Sequence, residues 1–580
     1  MAFKKGVKLK MYGFILKWGN CELPEKGQDL ECGRMIEWED FSCIYNPMPR
    51  FEEDKIFVQN ENYIYLLDGV IYNKNELLTE FKENSWAHVF IQLYLLNSSK
   101  FVDRLRGTFR GFILDKKSLE LVLFTNHSGE KDVFYSKVQN GFIAATNMDF
   151  MLSVYHKNKI SYQMNLQSAN ELLTLGYIIG GKSIVKGVSR LSAGEKLLYK
   201  KYNSEMKLEK YWFLKNIPEM EITDESIKEF DKLYRQAVER IFAKSKEYGY
   251  KYEADLSGGL DTRMVNWVAH DLGYNNVINV NYCIPKCLDY KIAKKISKDL
   301  GNEFVYYSME NGDFLKDIDE MIPAYSGQVL YFIATGANRS YKKILDRNIG
   351  IAATGLVGEM CNAYWRIGET HSVPQVCNNR YSKKIELENT YDCSEYDNYE
   401  HYNHYMYSLG FFLKSGLIRN QWFEFASPYV DKDFAEFAFR IPLQERINYK
   451  FYTKWILTCY PEAGNYLWQT KKRPLNKKIY LRTWLWEAAR FSKRSINKIF
   501  QLMNVRHRFT YIDDMNPFQA WFENNKELRE FVDNYYKDTI DLVTNTELRT
   551  KIQKVFSGNG IDKLVAINML GINKRYFYEA

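Results

Sequence analysis

The sequence predicts two regions of different fold class. The first two hundred residues or so read as an α+β domain built on stacked antiparallel sheets. An α/β domain with a parallel sheet follows and passes into a mostly helical C-terminal part. Three observations carry this expectation. Short β-rich runs bounded by Gly, Asn, Asp and Lys fill the first region. From Tyr252 onward strand-like runs alternate with helix-length segments, as βαβ units require. Helical periods rich in Trp and Tyr take over after about residue 400.

In the first region the expected strands are Tyr63–Leu67, closed by Asp68–Gly69, then Phe109–Asp115, Leu119–Asn126 and Gly141–Asn147. Helical periods intervene at Asn75–Phe81 and Trp86–Leu96. Near residue 215 the texture changes. Asp224 is placed to cap a helix whose apolar positions Ile227, Phe230, Leu233, Val238, Ile241 and Phe242 share one face, with Gly249 to close it. Then come strand Tyr252–Leu256, helix Thr262–Leu272, strand Asn276–Tyr282, helix Tyr290–Leu300, and strands Phe304–Met309 and Gly350–Gly355.

Composition narrows the function classes. The chain has 580 residues, 46% hydrophobic and 26% charged, which excludes disorder and collagen-like structure. A net charge of +8 over this length is too dilute to point to nucleic acid. Aromatic residues at 16%, 44 of them Tyr, promise large aromatic clusters or clefts. No run approaches the roughly 18 apolar residues of a membrane span, and the stretch Met11–Leu16 is ended by Lys17. Nine cysteines are sparse; Cys21, Cys32 and Cys43, and the pair Cys283 and Cys287, match no zinc framework. Reduced thiols in a cytoplasmic protein are expected.

The sharpest feature is SGGLDTR, Ser257 to Arg263, directly after the first strand of the expected parallel sheet and opening a helix. Glycines let the backbone approach a ligand, and free N–H groups at a helix start favour an anion. Ser257 and Thr262 offer hydroxyls to phosphate, and Asp261 offers a carboxylate to Mg²⁺. Open α/β sheets bind ligands beyond the carboxyl ends of their strands, where this loop lies.

SGGLDT resembles the pyrophosphate-binding SGGxDS loop of the ATP pyrophosphatases, specifically of the asparagine synthetase superfamily. Further stretches agree in order: LDYKIAKKISKDLG (Leu288–Gly301), TGLVGEMCNAYW (Thr354–Trp365), EFASPYVDKDFAEFAFRIP (Glu424–Pro442), NYKFYTKWILTCYPE (Asn448–Glu462) and TKKRP (Thr470–Pro474). In the first region LLDGVIYNKNEL, LRGTFRGFILD and HSGEKDVFYS resemble parts of the family's glutaminase domain. The resemblance implies an Ntn-hydrolase-like sandwich over residues 1–210 and an ATP-pyrophosphatase domain over residues 215–580.

The same resemblance implies a function and its residues. Working family glutaminases begin MCGI; here the match is MYGF, with Tyr12 in place of the nucleophilic cysteine and ten residues before Met11. A phenol of pKa about 10 supplies no thiolate, and no free α-amine stands beside it. Asp68 replaces the Asn that donates to the oxyanion, so a degenerate glutaminase domain without glutamine hydrolysis is expected. In the second domain Ser257, Gly258, Gly259, Asp261 and Thr262 would hold the pyrophosphate of ATP, and Thr354 and Gly355 would line the AMP. Asp261 and Glu359 would hold Mg²⁺; a helix-start acid is the alternative for Glu359. Lys471 or Lys472, or the neighbouring Arg473, would stabilise the phosphoryl transition state, and the alternative is a solvated basic turn. Leu356 stands where the family carries a polar residue, and Ala426 where it carries an Arg. That leaves Glu424 as the nearest acid by motif to take a proton from the amine.

The expectation is an ATP-dependent carbon–nitrogen ligase that adenylates a carboxylate and forms an amide with ammonia or another amine. A tailoring enzyme that forms amides or lactams on a peptide or natural product is the alternative, as is a non-catalytic scaffold. Its partners would be ATP and a small-molecule or peptide carboxylate, with no nucleic acid and no membrane span; a partner protein or homo-oligomer is left open. The basic segment Arg482–Arg508 reads as a membrane-surface or docking helix, or as a packed helix with a basic face. Tyr391–Tyr407 reads as a substrate lid or a packed surface loop.

Overall fold

The computed structural model describes residues 11–24, 33–139, 141–363, 381–387, 391, 393–477 and 516–578. Trp365 and the basic segment 482–508 lie outside the described residues. Two six-stranded antiparallel sheets occupy the first region. Sheet one contains β1 (Gly13–Gly19), β2 (Arg34–Trp38), β3 (Phe41–Asn46), β8 (Phe134–Val138), β9 (Gly141–Ala145) and β10 (Ser189–Arg190), in spatial order 10-8-9-1-3-2. Sheet two contains β4 (Ile56–Gln59), β5 (Tyr63–Ile71), β6 (Gly107–Asp115), β7 (Glu120–Thr125), β11 (Glu195–Lys200) and β12 (Glu205–Lys210), in order 12-11-7-6-5-4.

The two-residue period of the strands sorts their side chains into layers. Phe14, Leu16 and Trp18 of β1 meet Phe112 and Leu114 of β6 and Leu121 and Leu123 of β7 between the sheets. Burying one such side chain contributes about 1.5–3 kcal/mol. Ile15 faces the other way, into a cluster with Met148 and Met151 of helix α3 (Met148–Lys157) and Leu172 of α4 (Leu166–Thr174). The outer face of sheet two packs Leu67, Ile113 and Phe124 on helices α1 (Lys74–Phe81) and α2 (Trp86–Asn97). The result is an α/β/β/α stack. The expected turn at Asp68–Gly69 is absent: β5 runs on to Ile71. Gly69 has φ +146°, and a Cβ there would lie 2.1 Å from the Thr108 carbonyl oxygen, so the glycine serves close strand approach rather than reversal.

Helix α5 (Asp224–Glu247) opens the second region. Its cap is Thr223 rather than Asp224: the Thr223 hydroxyl accepts from the Ser226 N–H and the Ser226 hydroxyl accepts from the Thr223 N–H, leaving Asp224 as a first-turn acid. The parallel sheet then forms from β13 (Lys251–Asp255), β14 (Ile278–Cys283), β15 (Glu303–Ser308), β16 (Ile349–Ala353) and β17 (Glu424–Ala426), in order 15-14-13-16-17, with every pair parallel. Helices α6 (Asp261–Asp271) and α7 (Leu288–Asp299) follow β13 and β14. Order 14-13-16 reverses direction at β13 and β16, so the switch point lies between the loops Ser257–Leu260 and Thr354–Val357.

Within Tyr391–Tyr407, residues 393–398 form an irregular surface stretch with Ser394, Glu395, Asp397 and Asn398 exposed and Tyr396 packed on the core, as a packed surface loop requires; beyond it the chain is helical and buried. Tyr399–Asn403 is helical, a π-helical stretch follows at His404–Phe412, and Tyr402, Tyr405 and Tyr407 are buried. Helix Gly560–Tyr576 packs on α4 and on helix Ile318–Ala324. The described cysteines are all free, and no helix among the described residues is long and apolar enough to cross a membrane.

Candidate active site

The loop after β13 is built by its own side chains. The Ser257 N–H donates to the Thr262 hydroxyl at 2.9 Å, the two hydroxyls meet at 2.8 Å, and the Gly259 N–H donates to the Ser257 hydroxyl at 3.2 Å. The Gly258 N–H donates to Asp289 Oδ1 at 2.6 Å, from the first turn of α7. Just below the loop, the buried Asp255 carboxylate accepts from the Tyr341 hydroxyl at 2.7 Å and pairs with the buried Arg419.

The loop after β16 closes on this one from across the switch point. Gly355 and Gly358 lie against the start of α6. A Cβ on Gly355 would stand 2.7 Å from the Thr262 nitrogen, and one on Gly358 would stand 2.5 Å from Asp261 Cγ. Between them Val357 holds φ +68°, a genuine outlier for a β-branched residue. That strained turn carries Glu359 to Asp261. Burial, and then the negative charge of Glu359, push the Asp261 carboxyl up to about 7. Asp261 Oδ1 is buried with no hydrogen-bond partner.

These observations fit a hard divalent cation. Two carboxylates sit close enough to repel, and one carries an unsatisfied buried oxygen. Among the described residues no third His, Cys, Asp or Glu joins them, so phosphate oxygens and water would complete the coordination.

The basic turn reaches the same place. The Gln469 N–H donates to the Gly258 carbonyl at 3.2 Å, and Trp468 and Arg473 pair to close a tight turn in which Lys472 has φ +54°. Arg263 fixes this segment. Its fully buried guanidinium donates to the carbonyls of Ala463 at 3.1 Å, Leu467 at 2.6 Å, and Tyr466 and Gly258 at 3.4 Å. Burial lowers it to about 10. Thus Ser257, Gly258, Gly259, Asp261, Thr262, Thr354, Gly355 and Glu359 share one crevice, and the turn carrying Lys471 and Lys472 is tied to its edge.

Glu424 is elsewhere. It pairs with Ile351, three residues before Thr354, roughly 10 Å down the strand from the crevice. Its buried carboxylate lies 2.6 Å from the Lys131 ammonium and 3.9 Å from that of Lys55, both from the first region. Leu356 is half-buried in the large apolar cluster.

Glu424, Tyr12, Asp68, Arg110 and Lys131 line an interdomain cavity of about 90 Å³. Arg110 fills the ground behind the MYGF segment. It donates to Asp68 at 2.9 Å, to the Asp132 carbonyl at 3.0 Å and to the Tyr12 carbonyl at 3.3 Å. Burial opposes ionisation of Asp68, but Arg110, Lys131, Lys55 and the Tyr45 hydroxyl together bring it down to about 2. Asp68 therefore faces a guanidinium rather than an oxyanion position.

Sequence reasoning passed over Asp289, Arg263 and Val357. The first lay inside the quoted LDYKIAKKISKDLG segment, and the second closes the SGGLDTR motif itself. Nothing local marks Val357, because its strain belongs to the turn.

A profile of the glutamine amidotransferase domain matches residues 53–212. Asparagine synthetase [glutamine-hydrolyzing] 2 of Bacillus subtilis (strain 168) is 26% identical over 279 residues, 44% of this chain and 36% of that protein. The chain spans about a third of the length of this curated relative. Glutamine phosphoribosylpyrophosphate amidotransferase from B. subtilis, complexed with ADP and GMP, matches at 12% identity over 43% of this chain and 55% of its own, with a TM-score of 0.22. The NH3-dependent NAD synthetase of Campylobacter jejuni matches at 15% identity over 23% and 60%, with a TM-score of 0.18. Likenesses this shallow carry no argument. In sequence, residues 53–212 are similar to the glutamine amidotransferase domain, and part of the chain is similar to an asparagine synthetase.

Proposed function

We propose that this chain is an ATP-dependent carbon–nitrogen ligase that adenylates a carboxylate, releases pyrophosphate and passes the acyl group to ammonia or another amine, without hydrolysing glutamine. The observation that carries the reading is the convergence of SGGLDT, the Asp261–Glu359 pair and the TKKRP turn on one crevice at the carboxyl edge of the parallel sheet. In this reading residues 1–210 form the degenerate glutaminase-like domain and residues 215–580 the ligase domain.

Backbone N–H groups and hydroxyls of Ser257, Gly258, Gly259 and Thr262 would hold the departing pyrophosphate. Thr354 and Gly355 would line the AMP. Mg²⁺ held by Asp261 and Glu359 would supply charge neutralisation for the phosphates. Lys471 or Lys472, carried on a turn that Arg263 fixes, would set an ammonium against the charge that grows on phosphorus. Glu424, paired with Lys131 and Lys55 roughly 10 Å from the crevice, is out of reach of an amine attacking there, so the amine would arrive already neutral or give its proton to another group. Tyr12, with Arg110 and Asp68 occupying the space behind it, supports the loss of glutaminase chemistry.

Two measurements test this. Calorimetry with ATP and Mg²⁺ should show saturable binding that Asp261→Asn weakens by at least about tenfold, while circular dichroism stays unchanged. No heat of binding to the wild-type chain would leave the scaffold reading in its place. Incubation with glutamine should release no glutamate above a protein-free control; release abolished by a thiol alkylator would overturn the second half of the proposal.

A further inference from the structure

The parallel sheet holds a pair of thiols beside the nucleotide loop that the ligase chemistry does not use. Cys283 ends β14 and Cys287 is the N-cap of α7; both are buried, and their sulfurs stand 3.4 Å apart. Each is wired toward the loop. Cys283 donates its S–H to Asn281 Oδ1 at 3.1 Å. Asn281 donates from Nδ2 to Asp289 Oδ2 at 2.9 Å and to the Leu256 carbonyl at 2.8 Å. Asp289 Oδ1 in turn accepts the Gly258 N–H. Cys287 Sγ accepts the Tyr290 N–H at 3.5 Å, which caps the helix that carries Asp289.

We propose that Cys283 and Cys287 are a redox-modified dithiol whose oxidation to an intramolecular disulfide loosens the nucleotide loop. The geometry needs only a small movement, because a disulfide requires an S–S distance of about 2.05 Å and the thiols already touch. Their environments divide the labour. Cys287 stands at the N-cap of α7, where its sulfur accepts the Tyr290 N–H and the helix start favours a thiolate, whereas Cys283 ends a strand and gives its S–H to Asn281. Cys287 is the attacking sulfur and Cys283 the resolving one.

With hydrogen peroxide as the oxidant, the Cys287 thiolate attacks one oxygen, giving a sulfenic acid and hydroxide. The Cys283 sulfur then attacks the sulfenic sulfur; the S–S bond forms, hydroxide leaves, and the thiol proton goes to water. In balance, two thiols and one peroxide give one disulfide and two waters. The product has no S–H to offer Asn281, and Cys287 is pulled from the Tyr290 N–H. Asn281 and the first turn of α7 lose the bonds that set Asp289, and the Gly258 N–H loses a fixed partner.

The test uses the full chain, reduced and then treated with hydrogen peroxide. After alkylation of remaining thiols, trypsin should yield peptide 264–286 joined to peptide 287–291, because Lys286 lies between the two cysteines. Backbone hydrogen exchange over residues 256–263 should accelerate, and affinity for ATP with Mg²⁺ should fall by about tenfold, the cost of one to two hydrogen bonds. Dithiothreitol should reverse all three, and Cys283→Ser should prevent all three. Absence of the joined peptides, or their presence with exchange over 256–263 unchanged, would overturn the proposal. The exchange readout needs no nucleotide: a reduced chain that binds no ATP would count against the ligase reading and leave the dithiol to be judged on exchange alone.

Discussion

Asp261 shows a carboxylate placed at the expense of the fold's stability. It opens α6, where the helix dipole favours a negative charge, yet Glu359 and burial push its carboxyl up to about 7. Its folded value therefore lies above the unfolded one, near 3.8. Between those values the folded state binds the extra proton, so stability falls as pH rises from about 4 to about 7 and stays lost above that. The side chain keeps some contact with solvent, and after discounting for that screening the loss is about 2 kcal/mol. Asp261→Asn should thus raise the thermal midpoint of the ligand-free protein at pH 8 by a few degrees and leave it nearly unchanged at pH 4.5. Equal shifts at both pH values would mean that the two carboxylates do not repel in the folded state. At the residue scale the grouping was legible: Ser257, Asp261 and Glu359, singled out by motif, stand on two loops that meet across the switch point. The ion pair of Glu424 with Lys131 was not, since it joins residues 293 positions apart and neither neighbour sequence marks it.

Elements were more legible than their purposes. The strands and helices of the parallel domain lie where periodicity and Gly punctuation put them, within a residue or two at most boundaries. The three-residue β17 was not legible, because so short a run has no period to read. TKKRP was readable as a basic turn, but its attachment to the Gly258 carbonyl depends on the tertiary reach of Arg263. That residue sits on α6 and bonds carbonyls two hundred positions later. Arg263→Met leaves those carbonyls without their donor and should free the turn. Limited trypsin digestion of the native chain should then cut after Lys471 and Lys472 several-fold faster. Arg263→Lys should recover little, because one ammonium cannot span the carbonyls a guanidinium fork holds. Native cleavage rates unchanged in Arg263→Met would show that the turn is held by other contacts.

At the scale of the whole molecule the two regions differ in fold class but not in core. Ile15, Ile44, Met148, Met151 and Leu172 of the first region belong to the same apolar cluster as Ile322, Leu330, Ile567 and Leu570 of the second. Buried or half-buried ion pairs also cross over: Lys131 to Glu424 at 2.6 Å, Lys414 to Asp132 at 2.7 Å and Arg106 to Asp433 at 2.8 Å. Sequence texture located the change of class near residue 215, but it could not show that the boundary is covered by apolar surface on both sides. Amphipathic patterning reports that a face is buried and never against what. The shared cluster places a packing constraint on the first region whatever its chemistry. Separating the regions would expose the apolar α3–α4 face to water and break the pairs that Lys131, Asp132 and Arg106 make with the second region, though Asp132 keeps Arg190. Residues 1–214 expressed alone should therefore be aggregation-prone or melt well below the full chain, and the full chain should unfold in one transition seen alike by near-ultraviolet dichroism and by intrinsic fluorescence. The ion pairs can be weighed separately from the apolar face. Lys131→Met should lower the thermal midpoint of the full chain by several degrees, and adding Glu424→Gln should recover part of that loss, because the second change removes the buried charge that the first left unpaired. A fragment 1–214 that melts cooperatively at the temperature of the full chain would show that the first region is an independent domain and that the shared cluster contributes nothing to its stability.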